Sequence, residues 1–407
     1  MVYQQHRELK LEVSCGEREE NMVMRMRKGG RSAGKAAICL GAVILVKLAA
    51  DVIPILQGME IGENVRTSEN DAVTLKSAGC IEEKIGCNMA EGIGISPEQN
   101  TYVSENAEAS LISWESDDSK AMWQSKLYSY SQNGDDGKIV EKHYGTQAGT
   151  QILNLDQCGQ VRNCTFWNNS DLLTESRILP DLPLKLDGTP MVLIYHTHTT
   201  ESFLFDEQSN YDASFNFRTT EPDKNMVMVG DAIAKKLADS GIGVIHACEI
   251  HDFPVWNNSY SRSAKTVKSI LEKYPSICIA LDVHRDAIST NSTIYAPICT
   301  INGKKSAQIM LISGCDNGTM NLPNYRENFH FASFLQQSAE KMYQGFTRPV
   351  LFDYRKYNQD LTNGSLLVEF GSQGNTLEEV RYAGELFGSA LAQTIRELAS
   401  QQAKEQS

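Results

Sequence analysis

Residues 191–201 read Met191-Val192-Leu193-Ile194-Tyr195-His196-Thr197-His198-Thr199-Thr200-Glu201, an unbroken apolar run that passes directly into two histidines and a glutamate. A short continuous apolar run is the pattern of a strand buried on both faces, as in a parallel sheet. Two later stretches repeat it. Ile277-Cys278-Ile279-Ala280-Leu281-Asp282-Val283 leads into His284-Arg285-Asp286, and Leu366-Leu367-Val368 leads into Glu369. In open α/β sheets, ligands bind beyond the carboxyl ends of such strands. Histidines and glutamates from three distant segments are therefore expected to converge on one edge of one sheet, a combination that suits a zinc hydrolase.

Around these stretches, strand and helix patterns alternate. Val229, Ile233 and Leu237 recur at helical spacing across residues 225–239, and Gly241 marks the stop. Residues 242–248 read as a strand and 261–273 as a helix with Val267, Ile270 and Leu271 on one face. Strands follow at 293–300 and 307–313, then a helix at 326–344. Thr376-Leu377-Glu378-Glu379 has the capping-box pattern, and the apolar stripe of the last helix runs through Val380, Leu386, Phe387, Ala390, Leu391 and Ile395. The alternation predicts an α/β class domain over residues 146–400, with a mixed or mostly parallel sheet flanked by helices. Its first part, 146–190, is punctuated by Pro180, Pro183 and Pro190 and reads as loops and short strands.

The 407 residues carry a formal net charge of −13, which argues against a nucleic-acid binder held by phosphate contacts. Arg25, Arg27, Lys28, Arg31 and Lys35 nevertheless stand together without an acid among them, just before a hydrophobic stretch from Ala36 to Leu56. That stretch is close to the ~20 residues a bilayer needs, although Lys47 and Asp51 interrupt it. The expected layout is a basic cytoplasmic segment at 1–35, a single-pass membrane anchor at 36–57, and the remainder outside the cytoplasm. A cleaved signal peptide and a buried soluble helix are the rival readings; the long basic region and the absence of a convincing cleavage site favour the anchor. Residues 58–145, rich in Glu, Ser, Asn, Gly and Lys, read as a partly disordered stalk with a helix near 106–130. Of the ten cysteines, Cys80 with Cys87 and Cys158 with Cys164 are candidate disulfides, and the lack of any CxxC pair argues against a thiolate zinc site.

His198-Thr199-Thr200-Glu201 has the HxxE spacing, so that an imidazole and a carboxylate three residues apart can meet on one ion in a tight turn. His284 would be the distant third ligand. His196 competes with His198 for the first position; the spacing to Glu201 favours His198, leaving the other beside the metal or the substrate. A hydrogen-bonded polar turn is the bland alternative. Glu369, near a metal-activated water, would be a natural general base, or else a strand-end glutamate facing solvent. Asp282 is either a partner that orients His284 or a charge at the far side of the pleat. His251-Asp252 with Tyr260, Ser261 and Arg262 either lines the groove or caps a helix, and Arg262 and Arg285 are possible substrate-binding cations.

Several of these segments resemble the signature of the stage II sporulation protein P family: Val192 through Ser202, Tyr260-Ser261-Arg262-Ser263, Leu281 through Ala287, Tyr357-Asn358-Gln359-Asp360-Leu361, Leu366 through Gly371, and Asn375 through Glu379. The resemblance covers about residues 146–400. It implies an N-acetylmuramoyl-L-alanine amidase-like fold and a membrane-anchored, zinc-dependent peptidoglycan hydrolase that acts in forespore engulfment and also cuts peptide cross-links. Stage II sporulation proteins D and M are the implied partners. The zinc ligands fall on His196 or His198, Glu201 and His284, and the catalytic glutamate on Glu369. Two departures stand out: Phe203 where the family usually shows tyrosine, and Cys248-Glu249 where small polar residues are expected.

Overall fold

The computed structural model describes residues 73–74, 109–123 and 134–405. The elements before the first site segment are β1 (Val73–Thr74), β2 (Leu111–Trp114), α1 (Asp117–Trp123), β3 (Gly137–Lys142), β4 (Ile152–Asn154), β5 (Gln160–Asn163) and α2 (Asn169–Glu175). Then follow β6 (Pro190–Tyr195), β7 (Asn210–Tyr211), α3 (Met226–Asp239), β8 (Gly243–Ala247), α4 (Ser259–Lys273) and β9 (Ile279–Asp286). The remainder is β10 (Ser289–Thr290), β11 (Thr293–Ile301), β12 (Lys304–Ala307), β13 (Ile309–Gly314), α5 (Tyr325–Met342), β14 (Val350–Asp353), β15 (Gly364–Ser372) and α6 (Leu377–Glu405).

Ten strands form one mixed sheet in the order β1-β2-β8-β6-β9-β15-β13-β14-β5-β4. From β2 to β15 the neighbours are parallel; β13 runs against β15, and β14 and β5 lie parallel to β13. The apolar runs are continuous because helices cover both faces. Val192, Ile194, Leu281 and Val368 pack with Ile233 of α3, Leu335 of α5 and Phe387 of α6 in one core, whereas Leu193, Tyr195, Ile245 and Ala280 pack with Val267 and Ile270 of α4 in another. All six residues of β6 are buried. A second sheet, β10-β11-β3-β7 with β12 paired to β11, closes one flank over Leu204, Phe215, Phe217 and Ile294.

The helix expected near 106–130 is instead β2 followed by α1. Ile112 and Trp114 alternate with Leu111 and Ser113 along β2, and the first pair is buried in the core under α4; that period of two is a strand pattern. β3, also within the range read as stalk, joins the second sheet beside β11. Cys158 and Cys164 are both free thiols, which corrects the disulfide expectation. The extended strand β5 lies between them, and six extended residues span roughly 20 Å, far more than the ~4.4–6.8 Å between bridged Cα atoms. Cys80, Cys87, the basic segment at 1–35 and the anchor at 36–57 lie outside the described residues. Among the described residues, no helix is long and apolar enough to cross a membrane.

Candidate active site

The topology places β8, β6, β9 and β15 side by side and parallel, so the segments at their carboxyl ends meet. His284 and Glu369 lie within β9 and β15 and face each other in register. Beyond Glu369 the pairing shifts before Ser372 meets Asp286. Gly371, at φ +57°, makes that irregularity; a Cβ there would stand 2.3 Å from Asn375 Oδ1.

His198, Glu201, His284 and Glu369 are all buried. The His198 ring lies 5.2 Å from that of His284, nearly perpendicular to it, and stacks on Trp256 at 5.0 Å. His284 Nδ1 is 3.7 Å from Glu201 Oε2. Its Nε2 is 2.8 Å from Asp282 Oδ1 yet makes no aligned hydrogen bond. Both nitrogens of His198 and Oε2 of Glu369 are likewise buried without a hydrogen-bond partner.

His196 contrasts with its neighbour. Its Nδ1–H donates to the Val283 carbonyl at 2.9 Å, so Nε2 accepts from His246 Nε2–H at 2.9 Å. Neither ring nitrogen is left for a ligand. Asp282 accepts from the Thr197 amide and hydroxyl at 2.8 and 2.6 Å, which resolves its role as a partner that fixes the turn beside His284.

Electrostatics separate the groups. Burial holds the His198 imidazole down at about 4, so it is neutral at neutral pH with a lone pair to offer. Burial works against the Glu201 charge, but Arg285, His198, His284 and Arg218 together bring it to about 2. Burial also opposes a charged His284, which Asp282 and Glu201 raise to about 9. Glu369 is carried up to about 8 by burial and then by Asp286, with His284 pulling the other way.

A family model described as Stage II sporulation protein P matches residues 94–392. The chain belongs to the stage II sporulation protein P family. Stage II sporulation protein P of Bacillus subtilis (strain 168) is 32% identical over 204 residues, 47% of this chain and 48% of that one. The match thus spans about half the length of that curated relative. Among solved structures, the CwlD amidase from Clostridioides difficile in complex with the GerS lipoprotein aligns with 52% of this chain and 98% of its own at 11% identity and a TM-score of 0.33. N-acetylmuramoyl-L-alanine amidase AmiC2 of Nostoc punctiforme aligns with 52% and 97% at 11% identity and a TM-score of 0.31.

In this member of the stage II sporulation protein P family, the two arginines expected to bind substrate brace the main chain instead. Arg285 donates to the carbonyls of Ser202 at 2.7 Å and Phe217 at 3.0 Å. Arg262 donates to the carbonyls of His251 at 2.6 Å, Asn257 at 3.0 Å and Val255. The His251–Asp252 pair pins the HxxE turn. His251 Nδ1–H donates to the His196 carbonyl at 2.7 Å, and Asp252 accepts from the amide and hydroxyl of Thr200 at 3.1 and 2.7 Å. Arg218 was invisible in the sequence reading. It reaches Asp252 at 2.6 Å and Glu201 at 3.6 Å from an isolated bridge opposite Glu201, and no local pattern announces it. Phe203 is fully buried in the main core, where a ring without a hydroxyl needs no partner.

Proposed function

We propose that this chain is a zinc-dependent N-acetylmuramoyl-L-alanine amidase that hydrolyses peptidoglycan during forespore engulfment, held at the cell membrane through residues 36–57. The carrying observation is the cluster of unpartnered buried atoms where the site strands meet: both His198 nitrogens and Glu369 Oε2, beside a His284 whose Nε2 lies against Asp282 and whose Nδ1 faces Glu201. Buried polar groups are normally satisfied, and each one left alone costs about 1–3 kcal/mol. Such a cluster implies a group that completes it. His198, Glu201 and His284 form the donor set a catalytic zinc takes, with a position left for water. Among the described residues, the two sets of three donors drawn within 4.8 Å of one another are elsewhere, so a metal here would draw its ligands inward. Zinc at this place would supply Lewis-acid polarisation of the scissile carbonyl and a more acidic attacking water.

The chain's own residues do the rest. Glu369, whose Oε2 is buried without a partner beside His284, accepts the proton of the attacking water and returns it to the leaving amine. The bond cut joins the lactyl group of N-acetylmuramic acid to the stem L-alanine. Asp282 orients His284, while Asp252 and Arg218 hold the turn that presents His198 and Glu201. Trp256 and Tyr260 cover the His198 ring and limit the approach of bulk water. Cutting of cross-links and cooperation with stage II sporulation proteins D and M belong to the same proposal and come from family membership. A carboxypeptidase is the weaker alternative, because the two arginines that would clamp a terminal carboxylate are committed to main-chain carbonyls.

Digestion of purified peptidoglycan by the full chain tests this. Stem peptides free of sugar should appear, vanish with chelator, return with zinc and be absent with Glu369→Gln. Release of single amino acids would favour the carboxypeptidase. A folded, zinc-loaded chain that yields nothing, with or without the stage II D protein, would sink the enzymatic reading.

A further inference from the structure

On the far side of His196, a second group of donors gathers around His246. Its Nε2–H is held by His196, so the ring can offer only Nδ1, which lies 2.9 Å from Asp231 Oδ1 and 3.7 Å from Cys248 Sγ. The three donor atoms all lie within 4.8 Å of one another. Tetrahedral zinc separates its ligands by about 3.3–3.8 Å, so small side-chain adjustments would close the set. Cys248 and His246 are buried, while the Asp231 side chain is 67% exposed and gives an ion a path from solvent and room for a water as fourth ligand. Gly230 makes the arrangement possible: a Cβ there would stand 2.2 Å from His246 Nε2 and 2.8 Å from His196 Nε2.

We propose that Asp231, His246 Nδ1 and Cys248 form a second metal site, for a borderline divalent cation such as zinc, cobalt or nickel, separate from the His198–Glu201–His284 set. The mixed oxygen, nitrogen and sulfur donors select that class of ion rather than magnesium or calcium. Binding would displace the proton that His246 Nδ1 shares with Asp231 and the thiol proton of Cys248, as metal binding to imidazole and thiol requires. With Nδ1 on the metal, His246 keeps Nε2–H pointed at His196, whose Nδ1–H holds the carbonyl of Val283, the residue before His284. The bound ion thus ties α3 and β8 to the back of the HxxE turn.

Cobalt(II) loading of the full chain separates this site from the first, whose donors include no sulfur. The expected result is thiolate-to-cobalt charge-transfer absorption in the near ultraviolet that survives His198→Ala and is lost, with one metal equivalent, in Cys248→Ser. Asp231→Asn keeps an oxygen acceptor for His246 at an exposed position, so a mere hydrogen bond would be preserved; cobalt affinity should nevertheless fall at least tenfold. Absorption that is absent, or unchanged by Cys248→Ser, would overturn the proposal and leave Asp231 and His246 as an ion pair. Unaltered affinity in Asp231→Asn would do the same for the three-donor set. The readout is independent of peptidoglycan cleavage.

Discussion

His196 and His198 are chemically identical, two positions apart and both buried, yet both ring nitrogens of His196 are hydrogen-bonded and neither of His198 is. The spacing to Glu201 favoured His198 in the sequence; what no local pattern could show is that His246, fifty residues on, and the Val283 carbonyl occupy both ring nitrogens of His196. His198→Ala should abolish zinc retention while leaving the melting temperature of the metal-free chain nearly unchanged. His196→Ala should keep zinc at the first site but lower stability by roughly 2–4 kcal/mol, through a cavity and two abandoned hydrogen-bonding groups. Metal analysis beside denaturant unfolding distinguishes the two. Glu369→Gln should keep fold and zinc and reduce kcat by about 10²–10⁴-fold, the usual worth of a general base. Arg218 and Asp231 escaped the sequence reading for a common reason. Each acts on a partner far along the chain, and a single charged residue in a loop or on an exposed helix face carries no pattern.

At the level of elements, the clearest signals were those with a local cause. The capping box at Thr376 is present: the Thr376 amide donates to Glu379 Oε2 at 3.0 Å, and the Glu379 amide to Thr376 Oγ1 at 3.3 Å. Thr376→Ala should therefore cost about 0.5–2 kcal/mol in unfolding free energy, read from the denaturant midpoint. The three apolar runs became β6, β9 and β15 because helices shield both faces. The short strands were harder. Gln160–Asn163 and Val350–Asp353 hold too few residues to show a period, and partners across the sheet, not propensity, make them strands. β2 was hidden by the polar composition around it. Helix α3 depends on close approach to β8, so Gly230→Ala should destabilise by about 1–3 kcal/mol through overpacking against His246. Thermal unfolding would detect it, and a neutral result would mean that the two rings have room to withdraw.

Taken as a whole, the molecule buries its thiols unevenly. Burial pushes Cys278 and Cys299 up to about 12, and both are shielded from solvent, whereas Cys158 and Cys164 are partly exposed. A shift of that size lowers the thiolate fraction at pH 8 by roughly a thousandfold relative to an ordinary thiol, and thiolate is the reactive form. Iodoacetamide on the native chain should thus modify Cys158 and Cys164 well before Cys278 and Cys299, with peptide mass analysis as the check. β9 and β15, which carry His284 and Glu369, stand at the middle of the ten-stranded sheet with four strands on either side. Amides in such central strands should be among the last to exchange, and those of edges and loops among the first, which hydrogen exchange would check. The 251–258 loop lays Trp256 across His198 at the mouth of the site, and Arg262 holds that loop through three carbonyls. On the function proposed above, a partner that gripped this loop could therefore admit or refuse substrate while leaving His284 and Glu369, deep in the central strands, where they are.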